Sequence, residues 1–88
     1  GTEDVRAKID GLRAEIDGVD ADIVRLLNRR AQLALAIREL KPRIDRPLYD
    51  PRREEQIFEH LASVNEGPLF NDNLREIYEA ILHVSKEL

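Results

Sequence analysis

Arg30 stands where an apolar residue is due. Val5, Ile9, Leu12, Ile16, Val19, Ile23 and Leu26 recur at three- and four-residue steps, and the rhythm resumes at Leu33, Ile37 and Leu40. That period marks one face of a helix, and Arg30 puts a permanent charge in the middle of it. Lys41 is a second cation on the same side. At about 100° per residue Arg30, Ala34, Ile37 and Lys41 share a face, and the axial gap between the two cations is roughly 16 Å. Long side chains leaning toward each other over small Ala34 could grip a small anion. A polar residue in such a seam can also fix coiled-coil register, as a buried Asn does. The second misplaced charge nearby argues against that reading.

Arg13 lies one position off the seam, beside Leu12. It is about 25 Å from Arg30 along the helix axis and turned about 100° away. It cannot reach the same small ligand from the same chain, but in an antiparallel dimer it could do so from the partner. The stretch "YDPRREE" puts Arg52, Arg53, Glu54 and Glu55 in the first turns of a later helix. Free N–H groups and the positive dipole end make that a natural place for an anion or hydroxyl, though taken by itself the motif is better read as a capped, solvated helix start. Ser85 interrupts the apolar face of the last helix four residues after Ile81, where a hydroxyl commonly bonds its own helix backbone. His60 and His83 fall on different helices without ligand spacing, so no metal is expected. Neither a Gly-rich phosphate loop nor a nucleophile motif is present. Cations, a carboxylate or two and hydroxyls suit binding a dianion and stabilising a shift of charge within it.

Three helices must position these groups. The first is expected from about Asp4 to about Lys41, weakened by Gly11 and Gly18 but not broken before Pro42. "PRIDRPLYD" reads as a loop, since Pro42 and Pro47 cannot sit inside a helix. A second helix opens with Asp50 as N-cap and Pro51 at the first helical position. Its expected buried face is Ile57, Phe58, Leu61, Ala62 and Val64. "NEGP" ends it, with Gly67 able to take positive φ and Pro68 forbidding continuation. The third begins near "NDN" and carries Leu74, Ile77, Tyr78, Ile81, Leu82 and Leu88 on one side. There is no strand pattern and no internal repeat, so the expected class is all-α.

Eighty-eight residues suffice for one small domain; residues 3–88 are assigned to it, and Gly1-Thr2 is set aside as a cloning remnant. With 36% charged and 42% hydrophobic residues and four each of Gly and Pro, the composition is that of a soluble helical protein. The absence of cysteine excludes disulfides and thiolate chemistry and fits a reducing cytoplasm. No apolar run reaches membrane-spanning length, and nothing resembles a signal peptide. A net charge of −4 argues against nucleic-acid binding. Six of the fourteen basic residues nevertheless lie between Arg38 and Arg53, against three acidic ones, which suggests a local anion site. Some thirty-eight residues of helix span roughly 57 Å, whereas a compact domain of this size has a radius of gyration of about 12 Å. Two short helices cannot cover such a seam, so a second chain must, most simply in a two-fold dimer.

With those residues in place, the chain resembles the small all-helical class of chorismate mutases. The resemblance rests on "LRAEIDGVDADIVRLLNRRAQLALAIRELK", "PLYDPRREE", "EGPL" and "REIYEAILHVSKEL", and on the joint spacing of Arg13, Arg30, Lys41, Asp50, Arg53, Glu54 and Ser85. The "YDPxRE" and "GPL" stretches are most similar to mutase domains fused to prephenate dehydratase or to the first shikimate-pathway synthase. The resemblance implies an intertwined homodimer of three-helix chains. It also implies conversion of chorismate to prephenate by a [3,3] rearrangement, with no cofactor and no covalent intermediate, in aromatic amino acid biosynthesis.

Carried over, Arg30 and the partner's Arg13 would bind the two substrate carboxylates, and Lys41 would donate to the ether oxygen. Asp50 and Glu54 would hold the ring hydroxyl, Arg53 would line the pocket, and Ser85 would support a carboxylate. The catalytic set is then Lys41, Arg30 and Glu54. Two departures stand out. The family's further Gln or Glu, one turn after Ser85, would fall just beyond Leu88; Arg38, expected to be exposed, occupies a position where relatives often have Gly. The competing class is a non-catalytic helical dimer that binds an aromatic metabolite and regulates a fused enzyme.

Overall fold

The computed structural model describes residues 1–44 and 50–88. In chain order it comprises α1 (Thr2–Leu40), a 3₁₀ turn (Lys41–Ile44), α2 (Pro51–Val64) and α3 (Asn71–Lys86), with no strand among the described residues. The middle of the expected loop, residues 45–49, lies outside the described residues. The chain divides into two compact units, Gly1–Leu33 and Ala34–Leu88.

α1 starts two residues earlier than the seam alone indicates. Thr2 is its first residue, Val5 N–H donates to the Gly1 carbonyl at 3.3 Å, and Glu3 and Asp4 sit in the first turn. Acidic groups there interact favourably with the exposed N–H groups and the positive dipole end, and Asp4 Oδ2 also accepts from the Gly1 ammonium at 3.1 Å. The helix gives way to the 3₁₀ turn at Lys41. Pro42 disfavours α geometry in the residue before it and has no N–H to continue the ladder. In the first unit the seam side chains from Val5 to Leu26 are 42% to 59% exposed. A soluble chain seldom leaves an apolar stripe of that length without a partner.

In the second unit α2 and α3 form a helical hairpin. Its contacts run in opposite order along the two helices: Glu54 to Lys86 near one end, Phe58 to Arg75 further on, Asn65 to Asn71 at the turn. The helices are therefore antiparallel. Asp50 caps α2 as its sequence requires, its Oδ1 accepting from the backbone N–H of Arg52 at 3.1 Å and of Arg53 at 3.3 Å, with Pro51 opening the helix. The connection is organised by Asn65. Its amide donates to the Leu69 carbonyl and to Asn71 Oδ1, while its Oδ1 accepts from Gly67 N–H at 3.0 Å. Gly67 adopts φ +78°, a region that costs a residue bearing Cβ. α3 is entered through Phe70, whose N–H donates to Asn73 Oδ1 at 2.9 Å. This is the N3 half of a capping box; phenylalanine has no acceptor to supply the other half.

Ile57, Phe58 and Leu61 of α2 and Leu74, Tyr78, Ile81 and Leu82 of α3 are half-buried. Val64, Ile77 and Leu88, expected on the covered faces, are 58%, 48% and 41% exposed, and Ala62 is exposed as well. Each helix of the hairpin covers only the stripe facing the other, and the flanks of each apolar face stay open.

Candidate active site

In the first unit the two guanidiniums singled out from the sequence both lie on α1. Arg13 is exposed, while Arg30 is half-buried. The leucines flanking Arg30 in the seam, Leu26 and Leu33, are 54% and 49% exposed. The charged residue is thus less accessible than its apolar neighbours, the reverse of the usual ranking. Seventeen residues of helix separate Arg13 from Arg30, about 25 Å, so one chain does not present both to one small ligand.

The remaining candidates belong to the second unit. Lys41 opens the 3₁₀ turn and is half-buried. Asp50 holds the start of α2; both of its capping bonds use Oδ1, and its carbonyl accepts from Glu54 N–H at 3.3 Å. Arg53 is exposed on the first turn. Glu54 is the more sheltered acid there, its side chain 25% exposed, and its Oε1 lies 3.1 Å from Lys86 Nζ on the last turn of α3. Ser85, next to Lys86 and half-buried, donates from Oγ to the Ile81 carbonyl at 2.9 Å. This is the back-bond expected of a helical serine. The structure therefore brings Asp50, Arg53 and Glu54 together at one helix start, and the end of α3, bearing Ser85, next to Glu54.

Two contacts were not foreseen from the sequence. Lys86 pairs with Glu54, and the Arg38 guanidinium, on an exposed side chain as expected, donates to the backbone carbonyl of Leu88. A signal for the first existed. A short connection between α2 and α3 makes them antiparallel neighbours, which sets the last turn of α3 beside the first turn of α2. A depression between the two helices toward their connection, lined by Phe58, Leu61, Leu74 and Arg75 among others, contains none of the candidate residues. Arg75 stacks over the Phe58 ring there, 3.9 Å from its centroid. That is cation–π packing at the hairpin surface.

No group of three or more His, Cys, Asp or Glu that could hold a metal occurs among the described residues, and none of their helices is long and apolar enough to cross a membrane. Chemically, the described groups offer cations for carboxylates and acceptors for a hydroxyl.

Comparison with known proteins agrees with that inventory. The family described as chorismate mutase type II matches residues 12–88. The bifunctional chorismate mutase/prephenate dehydratase of Aquifex aeolicus is 39% identical over 83 residues, 88% of this chain and 20% of that protein. The protein of the same description from Neisseria gonorrhoeae is 39% identical over 64 residues, 73% of this chain and 17% of the other. The chain thus spans about a fifth of the length of these relatives. Among solved structures, form II of the chorismate mutase from Thermus thermophilus superposes with a TM-score of 0.88 at 36% identity, covering 92% of both chains. Form I superposes with 0.85 at 36% identity, covering 89% of this chain and 98% of the other. Identity at this level across nearly the whole chain, on the same all-helical fold, places the chain in the chorismate mutase type II family.

Proposed function

We propose that this chain converts chorismate to prephenate, within aromatic amino acid biosynthesis in the cytoplasm. It does so as a homodimer in which each site takes Arg13 from the partner. The observation that carries this reading is the family match over residues 12–88, and Arg30 fits it: a half-buried cation in an otherwise apolar and exposed seam. Arg30 and the partner's Arg13 bind the two carboxylates and hold the substrate folded, with the carbons that will join in contact. Freezing that geometry removes much of the entropic barrier of a unimolecular rearrangement. As the ether C–O bond breaks and the new C–C bond forms, negative charge grows on the ether oxygen, and Lys41 donates to it there. A preorganised cation at that atom stabilises the transition state more than the ground state. Asp50 and Glu54 accept from the ring hydroxyl, Arg53 lines the site, and Ser85 supports a carboxylate. The breaking C–O bond and the forming C–C bond belong to one molecule, so the step needs no external nucleophile, and the family resemblance implies no cofactor.

On this reading Arg30 interrupts the seam because the seam parts there for a ligand, at a cost in stability that a binding site commonly carries. The open apolar stripe of α1 supports the dimer, since a second copy is the simplest cover for it. The names of the Aquifex and Neisseria relatives support a further domain of the prephenate dehydratase kind in the same polypeptide, with the first shikimate-pathway synthase as the other candidate. The test is loss of chorismate absorbance together with appearance of prephenate. Turnover well above the uncatalysed rate is the expected result. Saturable binding of an aromatic metabolite without turnover would favour the regulatory module instead.

A further inference from the structure

Glu54 and Lys86 stand on different helices at the open end of the helical hairpin and meet at 3.1 Å. Each is at the helix end that suits its charge: Glu54 in the first turn of α2 and Lys86 in the last turn of α3. The ammonium touches Oε1, and an ionised carboxylate has a second oxygen with acceptor sites of its own. An ammonium is a point charge without the fork that would occupy both oxygens. Glu54 is 25% exposed and Lys86 52%, so the acid is sheltered while the base lies at the rim.

We infer that Lys86 is a positioning residue that fixes the Glu54 carboxylate, with Oε1 held and Oε2 presented to the hydroxyl of the bound substrate. The inference rests on the reading of Glu54 as a hydroxyl acceptor. A glutamate side chain has three rotatable bonds, and an unanchored one loses conformational entropy whenever it accepts a ligand hydrogen bond. An ion pair formed before the ligand arrives removes that loss in advance. A half-exposed pair contributes little to folding stability, so the contribution of Lys86 belongs mainly to binding. Because the hydroxyl is not at the breaking bond, its interaction is nearly equal in ground and transition states. Such uniform binding appears in KM and not in kcat.

The test is steady-state kinetics with chorismate on wild type, Lys86→Met, Lys86→Gln, Lys86→Arg, Glu54→Gln and the Glu54→Gln/Lys86→Met double variant, each with a thermal melt. Lys86→Met should raise KM about three- to tenfold with kcat changed less than about twofold, the signature of lost uniform binding. Lys86→Arg should restore most of it. On the Glu54→Gln background Lys86→Met should add nothing, since the partner through which it acts is gone. An unchanged KM in an active Lys86→Met enzyme overturns the inference, and so does an equal effect on both backgrounds. Collapse of the melt in Lys86→Met and Lys86→Gln alike would make the pair structural and overturn it too. Failure of the wild type to turn over chorismate would instead remove the functional reading on which the inference depends, a result separate from any variant.

Discussion

Replacing Ile16 by alanine tests whether the α1 seam is an interface. Ile16 is 56% exposed in the chain, near the middle of the stripe from Val5 to Leu26. Isoleucine to alanine removes about three methylene equivalents, ~2.4 kcal/mol if all were newly covered. A partner can cover only the exposed part, which leaves ~1.3 kcal/mol per chain. A two-fold dimer contains the change twice, so association weakens by ~2.7 kcal/mol, about 100-fold in the dimer Kd. Alanine is the better helix former, so loss of helicity does not explain such a drop. Sedimentation velocity over a dilution series reads the Kd directly, with Glu15→Ala, on the exposed neighbouring position, as the control. The unfolding midpoint of the wild type should also depend on protein concentration. A dimer Kd moved less than severalfold by Ile16→Ala, or a folded wild-type monomer at micromolar concentration, would refute the reasoning.

Arg30→Leu completes the seam; it should preserve or raise the melting temperature while abolishing turnover, and outright unfolding would make Arg30 a structural residue. Lys41→Ala should lower kcat by roughly two to three orders of magnitude, the usual loss for one transition-state donor. A rise in KM alone would reduce it to ground-state binding. Asp50→Ala removes the acceptor for the Arg52 and Arg53 amides and should destabilise the protein by about 1 kcal/mol in a chemical melt. Asp50→Asn keeps an acceptor and should recover most of that loss; equal destabilisation by both would contradict the capping role.

Local chemistry made much of this fold legible in the sequence. Pro42 ends α1, Asp50 and Pro51 start α2, and Gly67 takes the positive φ that only its missing side chain allows freely. These are decisions taken within three or four residues, and the residues named for them carry them. The seam of α1 was equally plain, because a period of 3.6 leaves a long record in thirty-nine residues. Tertiary register was not directly legible. Lys86 reads as an ordinary basic residue near a helix C-terminus until α3 is laid antiparallel on α2, and only then does it fall against Glu54. The exposure of Val64 and Ile77 has a similar origin. Periodicity names a face but not how many neighbours will cover it. Of the candidate site, the residue types and the grouping of Asp50, Arg53 and Glu54 followed from sequence. That Arg13 and Arg30 cannot reach one small ligand from the same chain followed from helix length, and the roles proposed for them came from the family resemblance.

The central claim is that one site draws Arg30 from one chain and Arg13 from the other, and a mixing experiment tests it directly. Arg13→Ala and Arg30→Ala should each be nearly inactive alone, since every site of either homodimer lacks one guanidinium. When the two variants are unfolded together and refolded, a heterodimer has one site with both arginines intact and one with neither. Random pairing of equal amounts makes about half of the dimers mixed, each with one good site, so activity should return to roughly a quarter of wild type. No recovery, with mixed dimers shown by mass spectrometry to have formed, would contradict the shared site.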